Sequence, residues 1–291
     1  MARTEFTLPC PPAAIIDSLN RQTAYIGFGS HHVAMSLGTS EIASRVASTF
    51  GVMLRQTPGK VQAGSVQIAP HPDGICVTGD ENSDKEVFSD LTLAVRELFH
   101  RTVRQFIRSR PDLLWVHGGV AASAGKALLF SAASGQGKST LVAQLIARGW
   151  SYLSDEIAAI DPNTATVLPF PVTPYMRVGG PRDLAPEEVR ELDKVQVPVA
   201  QHAVSSIAVP LAGTYFLSYH PSTPAVEMTE CSPALAVIEL MRNSLNPSKS
   251  RKEEIAGLCQ LTGRVPSRYL RHGSARDAAE RIVQAHSGMK S

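Results

Sequence analysis

The stretch "SAASGQGKSTLVAQLIARGWSYLSDE", Ser131 to Glu156, decides how this chain of 291 residues folds. An apolar run, "KALLF", leads into small residues ending in Lys-Ser-Thr. From Ser139 to Arg148 the residues Leu141, Val142, Leu145 and Ile146 recur at helical spacing, and Gly149 supplies a stop. The segment "WSYLSDEIAAI" then resumes as strand and carries two adjacent acids, Asp155 and Glu156. Strand, glycine loop, helix, strand predicts a parallel pair joined by a crossover, the core of an α/β sheet.

The loop fits the phosphate-binding pattern GxxxxGK[ST] in the register Ala132-Ala133-Ser134-Gly135-Gln136-Gly137-Lys138-Ser139, with Ala132 in place of the first Gly. The demanding part of the pattern is intact. Gly135 and Gly137 let backbone N–H groups converge on phosphate oxygens, and the helix N-terminus adds the positive end of its dipole. The expected nucleotide contacts are Ser134, Gly135, Gln136, Gly137, Lys138, Ser139 and Thr140, with Lys138 reaching the β- and γ-phosphates and the Ser139 hydroxyl on Mg²⁺. Ala132 is tolerable there if its φ is negative.

Asp155 and Glu156 follow the loop helix directly, which places them on the next strand. A carboxylate at that position can ligate Mg²⁺, and its neighbour can take the proton of an attacking hydroxyl. Adjacent side chains on an extended strand point to opposite faces, so the pair can share one site only where the strand ends or bulges.

Outward from this core, "LLWVHGGVAAS" and "KALLFSAAS" read as two strands joined by a tight turn at Ala124-Gly125. From Thr23 to Gly79 the pattern is of strands and turns, with a hairpin at Asp73-Gly74. The stretch "SDLTLAVRELFHRTVRQFIRSRP" is an amphipathic helix closed by Pro111. The boundary therefore falls near Pro111: residues 1–110 are expected to form a small N-terminal α+β region and residues 111–291 a P-loop domain. Downstream, "DPNTATVLPFPVTPYMRVGGPRDLAPEE" reads as a loop and "PEEVRELDKVQ" as a short charged helix or lid. Strands return at "SSIAVPLAGTYFLSYH" and "PAVEMTEC". Three helices follow, with Ser232 and Ser274 as expected N-caps for the first and the last.

Bulk properties exclude several classes of function. The net charge of +2 calls for neither nucleic acid nor an anionic membrane as partner. The four cysteines form no CxxC pair, so no zinc site or disulfide framework is expected and a reducing, cytoplasmic setting fits. The N-terminus, with its early Glu5 and several prolines, does not read as a signal peptide, and no run reaches the ~20 apolar residues needed to cross a bilayer. The scattered histidines, His272 among them, show no metal-ligand spacing and are read as surface or hydrogen-bonded side chains.

The segment from Trp115 to Asp161, with its His-Gly strand, AASGQGKS loop, helix and paired acids, resembles the catalytic core of the HPr kinase/phosphorylase family, within the P-loop group that includes ATP-dependent PEP carboxykinase. The resemblance is specific over about fifty residues. From Pro169 onward it is looser, to stand-alone relatives outside the sugar-transport system, and the first hundred residues match the classical enzyme poorly. It implies a central mixed sheet flanked by helices, ATP and Mg²⁺ as cofactors, and a family tendency to assemble into homo-oligomers. It also implies Asp155 as general base, Glu156 as Mg²⁺ partner and His117 as a polar neighbour of the phosphates. Because Glu156 stands where the family has Asp, the division of roles between the two acids stays open. The family's arginine motif has no clean counterpart; Arg177 is the first choice for neutralising transition-state charge and Arg182 the second.

Transfer of the γ-phosphoryl group to a hydroxyl is therefore expected, to a serine of a peptide or protein or to a small molecule. Two alternatives stay open: a small-metabolite kinase, and a nucleotide-binding regulatory or partner-binding protein without turnover.

Overall fold

In the computed structural model, residues 23–79, 85–177, 194–246 and 251–286 are described. They fall into two compact units, the first reaching to Pro111 and the second beginning at Asp112.

The first unit is a six-stranded sheet in the order β3-β1-β2-β4-β5-β6. Its strands are β1 (Thr23–Phe28), β2 (His31–Leu37), β3 (Leu54–Arg55), β4 (Val61–His71), β5 (Gly74–Thr78) and β6 (Lys85–Phe88). Only β2 and β4 run parallel; a crossover is needed between them, and helix α1 (Ser40–Phe50) supplies it. That helix falls in the stretch read as strands and turns. Thr39 caps it by accepting from the Ile42 N–H at 3.2 Å, and Ile42, Val46 and Phe50 line its buried face. Helix α2 (Leu91–Ser109) starts at the expected place, where one Asp90 carboxylate oxygen accepts from the Thr92 and Leu93 N–H groups. It packs against β2, β4 and β5. Phe106, fully buried, meets Phe28 with ring centroids 5.6 Å apart.

Arg101 on α2 is 2% exposed and forms ion pairs with Glu97 at 2.9 Å and Glu86 at 3.2 Å. Burial pushes the Glu97 carboxyl up, but hydrogen bonds from Arg104 and Arg101 outweigh it and hold the group below its ordinary value of 4.5.

The second unit holds an eight-stranded mixed sheet, β11-β10-β7-β8-β14-β16-β15, with β9 paired beside β10 on β7. Its strands are β7 (Leu114–Ser123), β8 (Lys126–Ser131), β9 (Ser151–Ser154), β10 (Ile157–Asp161), β11 (Thr166–Leu168), β14 (Val209–Tyr219), β15 (Glu227–Cys231) and β16 (Ser267–His272). A separate ribbon pairs β12 (Tyr175–Arg177) with β13 (Lys194–Gln196). Because β11 pairs with both β10 and the start of β14, the sheet closes on itself at one end. The parallel strands β8, β14 and β16 all run toward the other end, where β14 and β16 finish together at Tyr219 and His272, three residues beyond β8.

Alternation along the strands serves two cores. Leu114, Val116, Val120 and Leu129 pack with α4 (Pro233–Arg242) and α5 (Arg251–Thr262). Ala121, Leu128 and Phe130 pack with α3 (Lys138–Ile146) and α6 (Ala275–His286). Both expected caps are present: Ser232 accepts from the Leu235 N–H at 3.4 Å, and Ser274 from the Asp277 N–H at 3.3 Å.

Besides helix α1, further expectations are corrected. The strand after the loop helix, β9, does not pair with the loop strand β8; both pair antiparallel with β7, which lies between them. The hairpin explains it. Ala124 (φ 49°) and Gly125 (φ 70°) form the tight turn that zips β7 onto that edge of β8, leaving only the far edge of β7 for β9. The second correction is the stretch read as a loop after Ile160, which holds strands β11 and β12. One element has no counterpart in the residue patterns: β16, within "GRVPSRYLRHGSARD", the parallel neighbour of β14. Of the segment read as a charged helix or lid, Lys194–Gln196 form strand β13, and the residues before Lys194 lie outside the described residues. No described helix is long and apolar enough to cross a membrane.

Two measurements test this account of the first unit. Phe106→Ala lowers its stability by about 3–5 kcal/mol, read as a drop in the urea midpoint at unchanged m-value. The stability from Glu97 is complete above pH 4.5 and is lost as pH falls through its lower folded-state value. Urea titrations between about pH 5 and 3 therefore show a shallower fall for Glu97→Gln than for the wild type.

Candidate functional site

β8 ends at Ser131, and the chain turns through the loop into α3, whose first residue is Lys138. Gly135 and Gly137 both take left-handed backbone, φ 89° and 84°, so successive N–H groups can face one concavity. The only described residues other than Gly with positive φ are Ala124 and Ala165, so Ala132 sits in the loop without backbone strain. Ser134, Gly135 and Thr140 are exposed, while Gln136, Gly137 and Ser139 are half-buried.

Lys138 is buried, and its Nζ donates to the carbonyls of Ala132 at 2.7 Å and Ala133 at 3.3 Å. The ammonium is thus folded back over the loop, at the end of the helix where unsatisfied N–H groups favour an anion.

The hairpin register sets Gly118 opposite Ser131, which brings His117 and Gly118 beside the start of the loop. The strand after the helix breaks at Asp155-Glu156, between β9 and β10. The Ile157 N–H donates to the Ser154 hydroxyl at 3.1 Å across that break. This is the interruption the two acids require if they are not to point to opposite faces. Asp155 is 1% exposed. A Cβ added at Gly119 would lie 2.7 Å from Val142 Cγ2 of α3 and 3.6 Å from Asp155 Oδ1. Asp155 therefore points to the face of the sheet that carries the loop helix. Glu156 is half-buried; its backbone carbonyl is 3.0 Å from His117 Nδ1 and its carboxylate 3.5 Å. The Gly118 N–H donates to the same carbonyl at 3.2 Å.

Tyr152, two residues before the acids' turn, is fully buried and donates to the Val172 carbonyl at 2.6 Å. Burial, with the charges of Asp155 and Glu156 adding to it, pushes its phenol well above the ordinary value, so it stays a donor.

Asp155, Glu156, His117 and the loop are thus carried on interior strands, with β7 between β8 and the break that joins β9 to β10. Arg177 belongs to β12, paired with Lys194, and Arg182 lies outside the described residues. Two neighbours of the loop are absent from the sequence reading. Gln136 Oε1 accepts from the Tyr219 N–H at 2.8 Å, tying the loop to the end of β14. His272, read as a surface or hydrogen-bonded side chain, is fully buried at the end of β16, and neither ring nitrogen makes a hydrogen bond to a described residue. The pairing of β16 with β14 puts it there, and no local pattern announces that pairing.

No family model and no curated protein matches the chain. Among solved structures it is similar to the Hpr(Ser) kinase/phosphatase from Coxiella burnetii, at 14% sequence identity and a TM-score of 0.35, over 60% of this chain and 95% of that one. A likeness this distant carries no chemistry from one protein to the other.

The close approach at Gly119 is open to a direct check. Gly119→Ala destabilises the second unit by about 1–3 kcal/mol through overpacking against Val142. Combining it with Val142→Ala costs less than the sum of the two single changes, as a double-mutant cycle of urea midpoints reads out.

Proposed function

We propose that this chain is an ATP- and Mg²⁺-dependent phosphotransferase of the cytoplasm that passes the γ-phosphoryl group to a hydroxyl, that of a serine in a peptide or protein. The observation that carries this reading is the meeting, across Gly119, of the helix that follows a glycine-rich loop with a buried carboxylate, Asp155.

The loop N–H groups around Gly135 to Ser139 would take the β- and γ-phosphate oxygens. Lys138 would leave the carbonyls of Ala132 and Ala133 and turn its ammonium to the same oxygens, exchanging two neutral acceptors for anionic ones. The donors fit a hard divalent cation: the Ser139 hydroxyl with the carboxylates of Asp155 and Glu156 supplies oxygen ligands. No three His, Cys, Asp or Glu side chains cluster as a metal site among the described residues, so the remaining ligands would come from the nucleotide and water. Bound Mg²⁺ would supply neutralisation of the charge on the phosphates.

Asp155 would accept the proton of the acceptor hydroxyl as its oxygen attacks the γ-phosphorus and the bond to ADP breaks. His117, in contact with the carboxylate and carbonyl of Glu156, would hold that acid in place. Arg177 is our candidate for countering transition-state charge. The peptide or protein acceptor rests on the sequence resemblance.

The test is transfer of label from γ-labelled ATP to candidate acceptors, with ADP release followed in parallel. Lys138→Ala and Asp155→Asn should each lower transfer at least about 100-fold. Full activity in both variants would overturn the assignment of roles. ADP release with small hydroxylated metabolites, but not with peptides, would favour a metabolite kinase. Tight ATP binding without ADP formation across both sets would favour a regulatory module.

A further inference from the structure

His272 closes β16 beside the phosphate loop. Its ring is fully buried. A Cβ added at Gly137 would lie 3.2 Å from His272 Cε1 and 3.5 Å from Nε2, so the loop rests directly on the imidazole. The backbones of Gln136 and Ser274 are near enough to favour a proton on the ring, yet neither reaches hydrogen-bonding geometry. Burial outweighs them and lowers the ring's affinity for a proton, so the neutral form is the one that lies under the loop.

The ring has little freedom to move. The Tyr219 ring meets it edge-on, with centroids 5.5 Å apart, and the two residues are register partners across β14 and β16. The His272 carbonyl accepts from the His220 N–H at 2.9 Å. The next residue, Gly273, is hemmed in: a Cβ there would lie 2.6 Å from the Thr223 carbonyl oxygen and 3.0 Å from that of His220. Tyr219 also holds the loop from the other side, through its N–H to Gln136 Oε1.

A neutral imidazole has one N–H donor, and leaving it buried without a partner is costly. Buried polar groups of this kind call for a physical reason. Here the fixed partner is the ring, and the part with glycine freedom is the loop.

We propose that His272 is a positioning residue for the phosphate loop, one that supports Gln136-Gly137 from below and gains its own hydrogen bond, to the Gln136 carbonyl, when an anion seats in the loop and draws the N–H groups together. The second half rests on the nucleotide-binding reading above; the support of the empty loop does not. Part of the energy of seating the anion is then returned by satisfying a buried donor. His272 touches no reacting atom in this scheme.

Hydrogen–deuterium exchange of the full chain without nucleotide tests the support. His272→Phe keeps the bulk and deletes the N–H, whereas His272→Ala deletes both. Exchange of the amides in residues 132–140 is expected to rise about tenfold in the alanine variant and to stay near wild type in the phenylalanine one. Unchanged exchange in the alanine variant, with unfolding midpoints showing it folded, overturns the support. If that variant does not fold, His272→Val, which keeps a branched side chain on the strand but empties the space under Gly137, takes its place and is judged by the same rise. Calorimetry with Mg²⁺-ADP should show affinity about tenfold weaker in His272→Phe and largely recovered in His272→Gln, with kcat nearly unchanged where transfer is measurable. Nitrogen-15 NMR of the wild-type imidazole should show one ring nitrogen gaining a hydrogen bond on addition of Mg²⁺-ADP. A wild type that binds Mg²⁺-ADP with equal affinity in all variants and an unchanged ring spectrum overturns the hydrogen bond alone. A wild type that takes up no Mg²⁺-ADP sinks the nucleotide reading and that hydrogen bond together, and the exchange experiment still judges the support.

Discussion

Gly119 has no side chain, and the site depends on that. It lies in β7, between the strand that ends in the glycine-rich loop and the strand that carries the acids. Even a methyl group there would collide with Val142 of the loop helix and come within 3.6 Å of Asp155. Its absence lets the helix settle on the sheet and lets a carboxylate lie against the same face. Interiors are packed closely enough that a single added carbon displaces one neighbour or the other. The distance between the loop and its acid is thus governed by sterics at one position of the central strand.

The electrostatics follow from that packing. Loop N–H groups and a helix N-terminus leave partial positive charge at the end of β8, and Lys138 adds a full charge held by two backbone carbonyls. Asp155 and Glu156 bring negative charge to the break between β9 and β10, on the far side of β7. A buried ammonium and a buried carboxylate are what the proposed Mg²⁺-nucleotide would meet there. The break between β9 and β10 lets Glu156 turn toward His117 while Asp155 stays against the helix face.

The far side of the loop is built from later chain. β14 and β16 end level with each other and three residues beyond β8, whose last residue Ser131 pairs with Phe216, so their carboxyl ends stand beside the loop. Tyr219 and His272, paired across those two ends, hold Gln136 and Gly137 between them. A loop rich in glycine loses much entropy when it is fixed, and anchoring it beforehand would reduce that cost for the proposed nucleotide.

Much of this was legible in the residues alone. The loop and its helix, the Ala124-Gly125 hairpin, the long helix before Pro111 and the caps at Ser232 and Ser274 each rest on signals spanning a few neighbouring residues: glycine conformation, apolar spacing, a hydroxyl before a helix. Helix α1 carried comparable signals, with Thr39 as cap and Ile42, Val46 and Phe50 four residues apart, but they were masked by the alternating segments on either side. What only the tertiary structure decided was partnership. That β9 joins β7 instead of β8, that β16 lies beside β14, that Gln136 reaches Tyr219 and that His272 lies under Gly137 are contacts between segments distant in the chain. A residue pattern records that one face of an element will be buried; it does not record which surface will cover it, because that is settled by the register and packing of all the elements together.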